Sequence, residues 1–162
     1  MKKLMLSALV LFALFAGKES LAHCEVPCGI YNDEIRVALL YEHFTTIEKA
    51  MNQMAELSKD GEVNYNQLIR WTVTKEEHAK EIQHVVTQYF ITQRVKLPEV
   101  TEGEAYDKYV RQLSLLHELI VYSMKAKQTT DTAYVEKMRA SLANFEEVYF
   151  EGKHRHKIEH HD

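Results

Sequence analysis

Apolar residues recur at steps of three and four along most of the chain, which is the period of an amphipathic helix. The first stripe follows Asn32 and Asp33, either of which can cap a helix, and extends to about residue 57. Its members are Leu40, Phe44, Ile47, Met51 and Met54. A second, less regular stripe starts near Asn64 and stops before Pro98, with Leu68, Trp71, Ile82, Val86, Tyr89 and Phe90 as its members. Each stripe predicts a helix that packs one face against a core.

Two further stripes follow Pro98. Residues 101–104 (Thr-Glu-Gly-Glu) have the capping-box pattern and predict the start of a third helix, whose apolar members are Tyr106, Tyr109, Val110, Leu113, Leu116, Ile120 and Met124. After a loop at 128–131, with Asp131 as a candidate cap, the fourth stripe consists of Tyr134, Met138, Leu142, Phe145 and Tyr149. Four helices with short connections predict an all-α protein, an antiparallel four-helix bundle over residues 32–151.

Residues 1–22 have the features of a secretory signal peptide. Lys2 and Lys3 precede an apolar run at 4–16, and small residues, Ser20 and Ala22, stand where a signal peptidase reads. The run is shorter than the ~20 residues of a membrane span. We therefore expect cleavage after Ala22, a mature chain that begins at His23, export to the periplasm or the outside medium, and no membrane attachment afterwards.

Composition narrows the remaining possibilities. With only 5 Gly and 2 Pro in 162 residues, the chain has little turn chemistry for a fold of many short strands. The net charge is −4 and no basic face stands out, so we expect no nucleic-acid partner. The tail at 152–162 is polar and carries four histidines, which suits a solvated tail or a weak site for a divalent metal.

Both cysteines of the chain lie in one short motif at residues 23–31. Two cysteines in an exported protein usually form a disulfide, but here a metal site is the alternative. Cleavage would free the α-amine of His23, which can chelate one ion together with the backbone nitrogen and thiolate of Cys24, while Cys28 adds a second thiolate. Planar nitrogen and sulfur donors suit Ni(II) or Cu(II), whereas zinc prefers a tetrahedron.

The pattern His-Cys-x-x-Pro-Cys-Gly-x-Tyr at a mature N-terminus resembles the nickel hook of nickel-containing superoxide dismutases, and residues 23–31 are called the hook below. A weaker resemblance lies in the second helix, where Arg70 precedes Lys75-Glu76 and where Tyr89 and Phe90 form a Tyr-Phe pair. The resemblance implies a four-helix bundle behind the hook, an oxidoreductase that converts superoxide to dioxygen and hydrogen peroxide by Ni(III)/Ni(II) cycling, and a homohexamer.

The resemblance also assigns roles to residues. His23 would give nickel its amine and imidazole, Cys24 its amide nitrogen and thiolate, and Cys28 its thiolate, which makes these three both metal ligands and catalytic residues. Tyr31, the fourth predicted catalytic residue, would stand at the mouth of the hook.

Two residues would support the metal centre without binding the ion. Pro27 would shape the turn of the hook, and Arg70 would support the imidazole of His23. Two alternatives stay open on the sequence: an exported metal-binding or metal-delivery protein without turnover, and a disulfide-stapled helical binding protein.

Overall fold

A computed structural model describes residues 29–59, 61 and 63–151. The predicted signal peptide, residues 23–28 of the hook and the tail at 152–162 lie outside the described residues. The described part forms four helical rods and no strand: α1 (Asp33–Leu57), α2 (Tyr65–His84) with the π-helical segment Val85–Arg94 that continues it, α3 (Glu104–Lys127) and α4 (Ala133–Tyr149). The predicted all-α class is confirmed. In this part of the chain no helix has both the length and the apolar character that crossing a membrane requires.

The helices begin where polar residues satisfy their first backbone N–H groups. Asn32 Oδ1 accepts a hydrogen bond from the backbone N–H of Ile35 at 3.0 Å, and Asn64 Oδ1 accepts one from Gln67 at 3.2 Å. At α3 the predicted capping box is wrong: the cap is Gly103, which makes no side-chain cap hydrogen bond and has a φ of 84°. The pattern located the start of the helix, but a left-handed glycine forms it.

The four rods pack in a closed cycle. Helix α1 lies against α2 and α4, and α3 lies against the same two neighbours. Phe44 of α1, Phe90 of the π-helical segment and Phe145 of α4 are fully buried, and the rings of Phe90 and Phe145 meet edge to face at 5.1 Å. Burying one such side chain contributes roughly 1.5–3 kcal/mol, so this shared core holds the rods together.

Helix α3 is rotated relative to its predicted orientation. Val110 and Met124 belonged to the predicted buried stripe, yet each is 41% exposed. Leu116 is fully buried as predicted, but its buried neighbours are Leu115 and Leu119, which the predicted stripe did not include. Because α3 is apolar on two adjacent sides, its periodicity alone did not decide which side faces inward.

A buried lysine caps the C-terminal end of α3. Lys75 of α2 is 2% exposed, and its Nζ donates to the carbonyl oxygens of Ala126, Lys127 and Thr129 at 3.0, 2.6 and 3.0 Å. The last carbonyls of a helix have no partner within it, so this ammonium satisfies groups that burial would otherwise leave unpaired. Within the described ranges, no buried side-chain nitrogen or oxygen lacks a hydrogen-bond partner.

Candidate metal centre

The described chain starts immediately after the predicted metal ligands. Gly29 has a φ of 77°, in the left-handed region that glycine adopts without strain, and Ile30 is 82% exposed. Tyr31 and Asn32 then lead into α1. Since His23, Cys24, Pro27 and Cys28 lie outside the described residues, their roles stay predictions, whereas the surface on which the hook ends can be described in detail.

That surface is organised around the carboxylate of Asp33, in the first turn of α1. Oδ1 accepts hydrogen bonds from the Tyr89 hydroxyl at 2.7 Å and from Arg94 Nε at 2.8 Å. Oδ2 accepts from Arg94 Nη2 at 2.7 Å and from the Tyr149 hydroxyl at 2.8 Å. One carboxylate therefore joins the start of α1 to the end of the π-helical segment and the end of α4. We call these four residues the Asp33 cluster.

The electrostatics of the Asp33 cluster keep each group in its hydrogen-bonding form. Burial raises the pKa of Asp33, but the hydrogen bonds from Arg94, Tyr89 and Tyr149 lower it by more, so that it lies below 3.8. Burial and the bond to Asp33 raise the pKa of Tyr89 to about 12, and the same causes raise the pKa of Tyr149. At neutral pH the carboxylate is an ionised acceptor and both phenols are donors.

Tyr31 lies on the outer side of the Asp33 cluster. The guanidinium carbon of Arg94 is 4.4 Å from the centroid of the Tyr31 ring, and Tyr89 meets that ring edge to face at 6.0 Å. Tyr31 is 37% exposed, so one side of the ring is held while the rest faces solvent. The predicted mouth residue, the last of the hook motif, thus packs against the bundle.

The π-helical segment brings two members of the cluster to the same carboxylate. Its hydrogen bonds reach five residues back: Val95 N–H bonds Phe90 O at 2.8 Å, and Thr92 Oγ1 bonds Thr87 O at 2.7 Å. Residues five apart, such as Tyr89 and Arg94, therefore lie on one face. In an α-helix they would point about 140° apart, and only one of them would face Asp33.

Arg70 lies at the opposite end of the molecule. It is exposed in the second turn of α2, 24 residues before Arg94 on one continuous rod, which corresponds to roughly 35 Å. Within one chain it does not join Tyr31 and the Asp33 cluster. Its predicted support of the metal centre stays a prediction.

None of the four residues of the Asp33 cluster was among the predicted site residues, and Tyr89 was noted only in the second apolar stripe and in the Tyr-Phe pair. Tyr149 was assigned only to the apolar stripe of the fourth helix, Asp33 only to helix capping, and Arg94 to no role. Their common signal is weak: Asp33 comes two residues after Tyr31, and the other two end their helical segments. In the described ranges, no group of three or more His, Cys, Asp or Glu residues is arranged to hold a metal ion.

Comparison with known proteins identifies the class. The family model described as nickel-containing superoxide dismutase matches residues 18–153. One relative, superoxide dismutase [Ni] of Streptomyces seoulensis, is 27% identical over 145 residues, which cover 89% of this chain and 98% of the relative. No solved structure matches the chain.

The described residues thus form the helical scaffold of a metalloenzyme, with Tyr31 of the hook motif packed on it. The chain belongs to the nickel-containing superoxide dismutase family. It is accordingly an oxidoreductase that acts on superoxide and uses nickel, and these predictions are confirmed. The donor set predicted for the hook, an imidazole, two nitrogens and two thiolates, is of the kind that suits this metal.

Proposed function

We propose that the enzyme converts two superoxide anions and two protons to dioxygen and hydrogen peroxide at a nickel centre built from residues 23–28. His23 would bind through its amine and imidazole, Cys24 through its amide nitrogen and thiolate, and Cys28 through its thiolate. The observation that carries the proposal is the family match, which spans these residues and continues through the four helices to residue 153.

Bound nickel would supply one-electron redox chemistry between Ni(III) and Ni(II), so that one superoxide is oxidised and the next is reduced. The residues of this chain do the rest. Thiolates and a deprotonated amide are strong donors that favour the higher oxidation state. Tyr31, held on one side and exposed on the other, limits access to the hook and places superoxide and water near it. Peroxide formation needs two protons, which water and the Tyr31 hydroxyl can deliver.

The predicted arrangement of the whole protein belongs to the same proposal. Signal cleavage after Ala22 would release an exported protein, in the periplasm or outside the cell, in which the hook precedes an antiparallel bundle. The three-way junction at Asp33 supports that arrangement, because the start of α1 meets the ends of the π-helical segment and α4. Pro27 would turn the hook.

Assembly as a homohexamer is supported by an apolar stripe on the outer face of α2. Tyr65, Ile69 and Val73 repeat every four residues and are 70%, 61% and 47% exposed. Contiguous exposed apolar surface of this kind is typical of contacts between proteins. Arg70 follows Ile69 directly, so it would lie beside such a contact between copies.

The free amine of His23 is the point at which this proposal can be tested. A chain that begins at His23 is compared with the same chain carrying one extra serine before His23, and a chain with one serine after Asp162 is the control. Nickel per chain is measured by elemental mass spectrometry and superoxide decay by stopped flow. The N-terminal extension is expected to abolish both, because the amine becomes an amide, while the C-terminal extension changes neither.

Each other result has a definite meaning. Full nickel content and activity in the N-terminally extended protein would contradict the amine chelate. Nickel binding by the His23 chain without superoxide decay would favour the metal-delivery alternative. A different N-terminus in the exported protein, or a Cys24–Cys28 disulfide in its active form, would refute the proposed ligand set.

A further inference from the structure

We propose that Arg94 is the positioning residue for Tyr31: its guanidinium, fixed by Asp33, carries the Tyr31 ring and thereby sets the opening of the hook. This inference rests on the proposed function, because it takes Tyr31 to stand at the mouth of the nickel site. It adds two residues, Arg94 and Asp33, that neither the sequence motif nor the family comparison singled out.

The first step is the rigidity of the guanidinium. Arg94 binds both oxygens of Asp33 through Nε and Nη2, and this two-point contact fixes the plane of the group. Asp33 cannot turn either, because Tyr89 and Tyr149 hold its two oxygens from other directions. The side chains of Arg94 and Asp33 are 24% and 16% exposed, so water competes little for these bonds.

The second step is that the orientation of the Tyr31 ring depends on the plane of the Arg94 guanidinium. Tyr31 precedes α1 and no helical hydrogen bond orders it, while Ile30 before it is largely exposed. Its described ring contacts are the face of Arg94 at 4.4 Å and the edge of Tyr89 at 6.0 Å. A planar cation against an aromatic face is attractive, and arginine can stack while its N–H groups remain bonded to a carboxylate.

The contact between Arg94 and Tyr31 should affect the approach of superoxide to the nickel site and not the binding of nickel. When the ring is docked on Arg94, the Tyr31 hydroxyl occupies a defined place beside the hook. When it is released, superoxide still reaches the site, but its approach and proton delivery are no longer ordered. Loss of Arg94 should therefore lower kcat/KM and leave nickel content unchanged.

Arg139 offers a matched control. Its guanidinium also pairs closely with a carboxylate of α1, that of Glu48 at 2.8 Å, with a longer contact to Glu136 at 3.6 Å on its own helix, and its side chain is 23% exposed, almost as that of Arg94 is. Both pairs join α1 to another helix, but Arg139 does not contact Tyr31. R94Q and R139Q should thus weaken the fold by similar amounts, while only R94Q should affect the hook.

The experiment uses nickel-loaded full-length mature protein in the wild-type, R94Q and R139Q forms. Three quantities are measured: nickel per chain, the rate of Tyr31 nitration by tetranitromethane with peptide mapping, and superoxide decay over a range of concentrations. R94Q is expected to keep its nickel, to raise Tyr31 nitration roughly two- to fivefold, as the loss of one cation–π contact implies, and to lower kcat/KM. R139Q is expected to match the wild type in all three.

A double-mutant cycle separates positioning from general damage. In a Tyr31→Leu background, R94Q should have no further effect on kcat/KM, because Arg94 acts through the ring that is gone. An equal loss in both backgrounds would overturn the inference, and so would wild-type nitration of Tyr31 in folded R94Q.

If R94Q does not fold, R94K replaces it. Lysine keeps the charge and one bond to Asp33 but has no planar guanidinium to stack on the Tyr31 ring. Tyr31 nitration should therefore rise by a smaller factor than in R94Q. Nitration of Tyr31 at the wild-type rate in R94K would overturn the inference. The failure of the proposed function has a separate signature: the wild-type protein would lack nickel or superoxide decay, whereas Tyr31 nitration would still report on Arg94.

Discussion

The Tyr149 hydroxyl donates a hydrogen bond to the carboxylate of Asp33 at 2.8 Å, although 116 residues separate the two in the chain. Asp33 is the first residue of α1 and Tyr149 is the last of α4. The bond therefore joins the first and last helices of the described region at the end of the bundle that follows the hook, and the stability of that end depends on one ionised carboxylate.

Asp33→Asn is expected to destabilise the protein by about 2–3 kcal/mol, because Arg94 loses its charged partner and an amide cannot accept the same set of bonds. The measurement is urea unfolding at pH 7. Asp107→Asn is the matched control, since Asp107 is an exposed acidic residue in the first turn of α3 and shares only the helix-dipole contribution. It should cost less than about 1 kcal/mol. Equal losses would show that the Asp33 cluster adds nothing beyond the dipole.

The lowered pKa of Asp33 also predicts how the stability of the protein changes in acid. The folded pKa of Asp33 is lowered below 3.8, so the unfolded chain takes up this proton first. Its contribution is fully present above the unfolded pKa and is lost as pH falls through the folded pKa. Unfolding free energy measured from pH 6 to pH 2.5 should fall in that window, and the fall should be smaller in Asp33→Asn. If Asp33→Asn left the pH dependence of the unfolding free energy unchanged, other groups would be responsible for the loss of stability in acid.

Lys75→Met is expected to cost about 2–3 kcal/mol, because the ammonium of Lys75 bonds the three carbonyls of Ala126, Lys127 and Thr129. Methionine matches the length of the side chain but offers no donor. Lys80→Met, an exposed position on the same helix, should change the unfolding free energy by less than about 0.5 kcal/mol. Thermal and urea unfolding of the two variants test the difference, and similar values for both would refute the capping role.

The contact between His43 and His78 predicts a second change of stability with pH. Their Nδ1 atoms are 2.9 Å apart, so one ring must donate and the other accept. Burial, with the charge of His78, lowers the pKa of His43 below 6.5, while Glu81 and Glu42 oppose the shift. The unfolded chain is therefore protonated first, and stability should fall as pH drops from about 6.5 through the folded pKa.

The check is the unfolding free energy between pH 7.5 and pH 5 for His43→Gln. This variant should lose part of the wild-type pH dependence, whereas His117→Gln, at an exposed position on α3, should keep all of it. If His43→Gln and the wild type had parallel profiles, the histidine pair would not be the source.

The orientation of α3 predicts which of its apolar residues matter. Leu119 is fully buried and Val110 is 41% exposed. Leu119→Ala should cost about 2–5 kcal/mol, because it leaves a cavity in the core. Val110→Ala should cost less than about 0.5 kcal/mol. Urea unfolding of both variants is sufficient, and a reversed order would restore the stripe that the sequence pattern indicated.

The sequence by itself determined the features that depend on local physics. Helix periodicity and caps such as Asn32 and Asn64 are set by neighbours a few residues away, so the number and type of the elements could be predicted. The metal chemistry was readable for the same reason, since His23, Cys24 and Cys28 lie within six residues and need no distant partner to be recognised as a donor set.

Only the tertiary structure decided which residues meet. The 3.6-residue period assumed for the second helix separates Tyr89 from Arg94, and the π-helical hydrogen bonds bring them together. The burial of Leu119 instead of Met124 depends on which neighbours α3 contacts. Asp33 gathers partners 56, 61 and 116 residues away. Such contacts arise from packing between the helices. Several rotations of one helix have comparable packing energies, so the periodicity of the sequence does not show which contacts form.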